Sequence, residues 1–282
     1  MMQGKLRIFR LSLLFLAGLL IVMSGQTFAA ITPTQFVPGD TAIALAAEDQ
    51  TTPAIAHGSG LTLVAWADGR SRAAGALFPD FETASDIYGI ILDADGNPQS
   101  AQPFPISQAK GSQTVPRIFW NGSNWLVVFQ TYMLSGTGFY YQQTLAAVRV
   151  SPTGAILDEQ PIILFNTPIS GTAWNMASDG TDWFITYQAE GIFVNKITAD
   201  GQYQQPGTLL VPQTYYQRSN LEMACVSGVC LLTFNDQVTA GAVRFDTNLN
   251  VLGGGMFTLL DGAFVDAVVA NGSGFYAVWG QQ

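Results

Sequence analysis

The sequence has little charge and few of the residues that nucleophilic or metal chemistry needs. Charged residues make up only 11% of the 282 positions. Histidine occurs once, at His57, so no Ser-His-Asp or Cys-His arrangement can be assembled around any other imidazole. Two cysteines and that one histidine are too few for a structural zinc site. No residue pattern calls for a cofactor, and none is expected. Basic clusters are missing as well. Beyond residue 29 there are 8 basic against 20 acidic residues, a net charge of −12, and such a surface repels phosphate backbones. Nucleic acid is therefore not an expected partner. Helical periodicity is weak after the first thirty residues, which argues against a helical bundle. No later run is long and apolar enough to span a membrane.

The first thirty residues stand apart. Lys5, Arg7 and Arg10 precede the apolar run LSLLFLAGLLIVM (11–23), and Thr27-Phe28-Ala29 offers small residues where a signal peptidase reads them. Residues 1–29 are read as a secretory signal peptide cleaved after Ala29, with an uncleaved anchor as the alternative. The mature chain is expected to be secreted, periplasmic or extracellular, with residues 30–282 forming one domain.

What the chain does have is glycine, β-branched and aromatic residues, and repetition. AIAHGSGLTLVAW (54–66), IFWNGSNWLVVFQ (118–130), NMASDGTDWFITYQ (175–188), MACVSGVCLLTFN (223–235) and VVANGSGFYAVWG (268–280) are versions of one hairpin. Their turn glycines are Gly58, Gly122, Gly180, Gly228 and Gly272, at spacings of 64, 58, 48 and 44 residues. Asn-Gly and Asp-Gly suit tight hairpins because glycine accepts positive φ. A second hairpin follows each of the first four, for example AAVRVSPTGAILDEQPIIL (146–164). The unit is thus four strands, a to d, and four-stranded units at this period predict a β-propeller. One such sheet cannot bury both faces, whereas radially stacked blades cover one another.

Five blades are expected, with units near 42–107, 108–165, 166–211, 212–260 and 261–282. The fifth unit supplies only strands a and b. TAIALA (41–46) reads as its strand d, and strand c would come from about residues 32–37, so that the termini share the last blade. The rival reading is a fragment of a larger propeller. Nearly continuous apolar runs such as Trp125–Phe129 and Val229–Phe234 predict second strands buried on both faces. The mixed third strands, Val148-Arg149-Val150 and Val194–Ile197, are expected further out with one side in water.

WNGSNWLVVFQ, RVSPTGAILD and MACVSGVCLLTF together resemble the repeats of secreted bacterial β-propeller proteins. The resemblance covers residues 42–282 and rests on turns and core strands. It implies an exported propeller and transfers no catalytic residue.

Several motifs have competing readings. Cys225 and Cys230 flank a four-residue turn and, in an exported chain, are expected to form a disulfide. Asp93-Ala-Asp95-Gly96-Asn97 has carboxylates at calcium-loop spacing, but its counterparts in the other units keep turn chemistry and not ligands, so a turn is expected. His57 reads as a turn residue, as do Asn121 and Asn271, although both also match glycosylation acceptors.

In a meandering blade the b–c and d–a connections share one face. The two long b–c inserts, 67–85 and 131–145, would stand together there. Binding candidates on that face are Asp68, Arg70, Arg72, Phe78, Phe81, Tyr132, Phe139, Tyr140, Tyr141, Trp174, Tyr215, Tyr216 and Arg218. Exposed rings beside polar tips suit a glycan or an extended peptide, although the 139–141 run also reads as a plain hairpin extension. Two functions follow. The favoured one is a non-catalytic binding or interaction module with a glycan or protein ligand. The alternative is a glycosidase-like enzyme with carboxylates at the ring centre, for which Glu222, Asp266 and Asp49 are the acids available and Arg117 is the only charge on the other inner strands.

Overall fold

The structure, a computed structural model, describes residues 49–71, 85–134, 141–165, 174–212, 219–236 and 239–281. Apart from a 3-10 turn at Gly69–Ser71, every regular element there is a strand. Blade 1 consists of β1 (Gln50–Gly58), β2 (Leu61–Asp68), β3 (Asp86–Leu92) and β4 (Phe104–Ser107). Blade 2 consists of β5 (Ser112–Trp120), β6 (Trp125–Leu134), β7 (Tyr141–Val150) and β8 (Ile162–Phe165). Blade 3 holds β9 (Trp174–Ser178), β10 (Trp183–Ala189), β11 (Gly191–Ile197) and β12 (Tyr203–Pro212). Blade 4 holds β13 (Ser219–Val226), β14 (Val229–Asp236), β15 (Thr239–Asp246) and β16 (Val251–Asp261). A hairpin, β17 (Ala263–Asn271) and β18 (Gly274–Gln281), follows. Strand order within each sheet is sequence order and all pairs are antiparallel. This is the all-β, multi-blade propeller that the repeats predict.

Local chemistry builds the turns. Asn121 Oδ1 accepts the N–H groups of Ser123 and Asn124, and Asp179 Oδ1 does the same for Thr181 and Asp182. These are Asx-type turns, in which a short side chain substitutes for backbone. The four c–d turns share a second device. Each opens with a side-chain acceptor, Asp93, Ser151, Thr198 or Asp246, that takes the N–H four residues on. The calcium-like spacing is therefore turn chemistry: Asp93 Oδ1 holds the N–H groups of Asp95 and Asn97. The fourth turn has Leu249, at φ 68°, where the other three have glycine. A left-handed leucine costs about 1–2 kcal/mol, and packing of Leu249 against the core holds it there.

The core lies between blades. Along β6, Trp125, Val127 and Phe129 face Leu63, Ala65 and Ala67 of blade 1, while Leu126 and Val128 face blade 3. A strand covered on both sides has no polar face to alternate, hence its apolar run. Close approach also explains two turn glycines. A methyl on Gly58 would sit 2.2 Å from the Trp120 ring, and one on Gly122 would sit 2.5 Å from the Gly180 carbonyl oxygen.

The third strands differ from expectation. Strands β3 and β11 bury most of their residues on both faces, and exposure begins only at the fourth strands, as in β12 and β16. Neighbouring blades reach outward far enough to cover strand c. The polar residues there, Arg149 and Lys196, end in ion pairs with Asp158 and Asp182.

One face of the β17–β18 hairpin packs on blade 4 through Val265 and Val268. The other carries Val269, Tyr276 and Val278, each more than half exposed. The strands expected to complete this blade, 41–46 and 32–37, lie outside the described residues.

Candidate functional site

The connections fall on two faces, as the meander requires. Ser85, at the end of the first b–c connection, bonds to Ser112 Oγ (3.0 Å) and to the Gln113 carbonyl at the next d–a connection. On the opposite face Asp182, in an a–b turn, accepts the N–H of Ala199 in a c–d turn (2.9 Å).

On the b–c face, Asp68 is fully buried and accepts from Arg70 N, Nε and Nη2 and from Trp66 Nε1. Burial pushes the Asp68 carboxyl up, but these bonds outweigh it and hold it below the usual aspartate value. Arg70 also lies 4.1 Å over the Tyr88 ring. Tyr132 donates to Gln130 Oε1 (2.9 Å). The backbone ladder of β6 and β7 runs on to Leu134 and Tyr141, so the second insert begins as a hairpin extension. Trp174 is half-buried at the start of β9. Arg72, Phe78, Phe81, Phe139, Tyr140, Tyr215, Tyr216 and Arg218 lie outside the described residues, as does the side chain of Tyr141.

The inner strands hold a second group of polar residues. Register places Ala54 opposite Ala65, Arg117 opposite Val128, Asn175 opposite Thr186, Glu222 opposite Thr233 and Ala267 opposite Val278. These are equivalent positions on the five first strands, and three consecutive blades make them polar: Arg117, Asn175 and Glu222. In β1, β5 and β13 a bulge immediately precedes the position. Each bulge contains a non-glycine residue with positive φ: Thr52 (50°), Val115 (51°) and Asn220 (52°). A bulge bends the strand and re-aims the next side chain, and strain of this kind gathers at functional sites.

The three side chains influence one another. Asn175 Nδ2 lies 3.3 Å from Glu222 Oε2 and donates to the Leu221 carbonyl at 2.9 Å. Burial raises the Glu222 carboxyl above the usual glutamate value. The Arg117 charge and the Asn175 hydrogen bond pull it down without cancelling that effect. Arg117 lies 4.5 Å over the Trp174 ring and is otherwise exposed. Asp266 sits in the bulge of β17, on the inner strand beside β13, and is exposed.

Sequence reasoning named Glu222 and Arg117 but missed Asn175. Counting back from the turn glycines leaves Glu222 one position out of line with Arg117 and Asn175, and only the pairing with the second strand puts all three in one column. A cavity of about 380 Å³ lies elsewhere, between β4 and residues 156–161. Its aspartate, Asp158, is already bonded to Arg149. The disulfide Cys225–Cys230 is present (S–S 1.96 Å), linking residues directly opposite across β13 and β14. His57 is an exposed turn-side residue whose Nδ1 is 3.3 Å from Thr62 Oγ1.

No protein-family model and no curated protein matches this chain. Solved structures do. A glycosyl hydrolase from Bacteroides ovatus matches with a TM-score of 0.42 and 12% identity, over 83% of this chain and 81% of that one. The GH43_1 enzyme from Xanthomonas citri complexed with xylose gives 0.38 and 11%, over 82% and 81%. An α-L-arabinofuranosidase from Lactobacillus brevis gives 0.39 and 10%, over 74% and 72%.

The expectation of a non-catalytic binding module is corrected at this point. The three solved structures named above are glycoside hydrolases, and at 10–12% identity they show the fold. The enzyme reading had been set aside because the inner strands looked poor in convergent chemistry. Three bulged or aligned inner strands in fact bring a carboxyl, an amide and a guanidinium together.

Proposed function

We propose that this chain hydrolyses glycosidic bonds at its axis, with Glu222 as the proton donor. The observation that carries this reading is the Glu222 carboxyl, raised above its usual value by burial beside Asn175 and Arg117. General acid catalysis needs a carboxyl that keeps its proton near working pH and lies within reach of the leaving oxygen. Glycoside hydrolysis needs a second carboxylate, roughly 5–10 Å away, to activate water or to attack the sugar. Asp266 is our choice, since it is exposed on the neighbouring inner strand. Asn175 holds the Glu222 carboxyl in place, and Trp174 offers a ring on which a sugar can stack.

Export fits this reading. The 1–29 pattern is that of a signal peptide, and the disulfide suits an oxidising compartment. Among the described residues no helix is long and apolar enough to cross a membrane.

The test is release of reducing sugar from a panel of plant and bacterial polysaccharides and aryl glycosides. Glu222→Gln should lower kcat/KM by about 100-fold or more, the range of general acid catalysis, with the melting temperature of the wild type or higher. Asp266→Asn should show a comparable loss. Failure of the wild type on the whole panel, or full activity in Glu222→Gln, would remove the proposal.

A further inference from the structure

Among the described residues, Arg70, Arg149 and Lys196 are ion-paired, whereas Arg117 at the axis and Arg244, exposed on the third strand of blade 4 and 5.8 Å over the Phe257 ring, have no ion pair or hydrogen bond. Arg70 pairs with Asp68 at the end of β2, Arg149 with Asp158 in the segment between β7 and β8, and Lys196 with Asp182 in the a–b turn of blade 3, at 2.8, 2.7 and 2.8 Å. Arg117 forms no ion pair or hydrogen bond among the described residues, although it belongs to the same kind of sheet and lies near an acid. Its charge reaches Glu222 strongly enough to pull that carboxyl down, yet the two do not close to ion-pair distance.

The surroundings hold the guanidinium in that unpaired state. Its face lies over Trp174 at 4.5 Å, which fixes the plane while leaving the N–H edge open. The strand delivers it through a bulge with Val115 at φ 51°, a backbone state that β-branched residues rarely adopt. Raising the Glu222 carboxyl favours its neutral form, and a neutral neighbour does not repel an incoming anion. Elsewhere the chain is strongly acidic, so an unmatched guanidinium at the axis is a local exception to the charge of the whole.

From this arrangement we infer that the glycan bound at the axis carries a carboxylate, as a uronic-acid sugar does, and that Arg117 is the residue that selects it. A planar guanidinium edge and a planar carboxylate form two parallel N–H···O bonds. The sugar ring bearing that carboxylate then lies beside Trp174, and its glycosidic oxygen faces Glu222. The inference rests on the hydrolase reading for the second contact but not for the first, because carboxylate recognition requires only Arg117 and Trp174.

The experiment compares a uronate oligosaccharide with its methyl ester, which has the same shape without the charge. Binding is followed by calorimetry and cleavage by sugar release. The wild type should prefer the acid by about tenfold or more, the discrimination of one charge-assisted pair. That preference should weaken with added salt. Arg117→Gln should lose it, chiefly through KM, and Arg117→Lys should restore part of it. Glu222→Gln should still bind the acid while no longer cleaving it, which separates recognition from hydrolysis. Equal treatment of acid and ester by the wild type overturns the inference even if both are cleaved. So does a preference for sulfated over carboxylated sugars. Binding of the acid without cleavage keeps the inference and removes the hydrolase reading.

Discussion

Arg117 and Arg149 lie on the first and third strands of one blade and have opposite surroundings. Arg149 is nearly buried. It donates Nε and Nη2 to Asp158 Oδ1 at 3.0 and 2.7 Å, and Nη1 to the Ala199 carbonyl of the next blade at 2.8 Å. Arg117 is exposed and, among the described residues, has only the face of Trp174 and the nearby Glu222 carboxyl around it. The first is a tie between blades. Lys196 repeats it one blade on, pairing with Asp182 and reaching the Thr247 carbonyl at 3.4 Å. The second has chemistry left over. In a chain with so few charges, Arg149 and Lys196 are ion-paired at these ties between blades and Arg244 is left exposed on an outer strand over Phe257, while the axis holds one unpaired guanidinium beside a carboxyl raised above its usual value.

Substitutions can break this contrast. Arg149→Ala leaves the half-buried Asp158 with only the backbone N–H of residue 149, among the described residues, and loss of one member of such a pair should cost about 2–4 kcal/mol, less than the full buried-pair cost. Arg117→Ala leaves nothing unpaired and should stay within about 0.5 kcal/mol of the wild type. Denaturant unfolding of the two variants checks the difference, and equal losses would erase the distinction between rim and axis. Replacing Cys225 and Cys230 with alanine should come next, at about 2 kcal/mol, because the bridge closes a very short loop. A smaller effect of opposite sign is expected from Val115→Gly, a gain of about 1 kcal/mol from relief of the left-handed valine. If this variant is less stable than the wild type, the bulge is not strained.

The pH dependence of stability sharpens the same comparison with two carboxyls of opposite sign. Glu222 is raised in the folded state, so the native chain holds its proton more tightly than the unfolded chain does. Its contribution is fully present below the ordinary glutamate value of 4.5 and is lost as pH rises through the raised value. Asp68 is lowered, so its contribution is present above the ordinary aspartate value of 3.8 and is lost as pH falls through the lowered one. Glu222→Gln should flatten the upper limb of the stability–pH curve, and Asp68→Asn the acid limb. A Glu222→Gln curve that overlays the wild type would show that burial does not perturb this carboxyl.

Much of the scaffold could be read from the chain. Asn121, Asp179, Asp93, Ser151, Thr198 and Asp246 each sit where a turn needs an acceptor, and each bonds within four residues of itself. The unbroken apolar run of β6 announced a strand covered on both faces. The pairing of Cys225 with Cys230 followed from the length of the turn between them. The third strands were misjudged because Arg149 and Lys196 look like surface residues until their partners on other segments are known.

The site was only half legible. Glu222 and Arg117 were visible as rare charges on first strands, but Asn175 looked ordinary. What joins them is a shared register position, set in β5 and β13 by bulges that shift the pairing, and no local residue pattern reports such a shift. Sequence by itself determined the turns, the strand periodicity and the four-strand repeat, because those depend on contacts within a few residues. Only the tertiary structure decided which cation would be neutralised, which carboxyl would resist ionisation and which strands would meet at the axis. Those outcomes depend on burial and on partners some fifty residues away, as between Asn175 and Leu221 or Arg149 and Ala199.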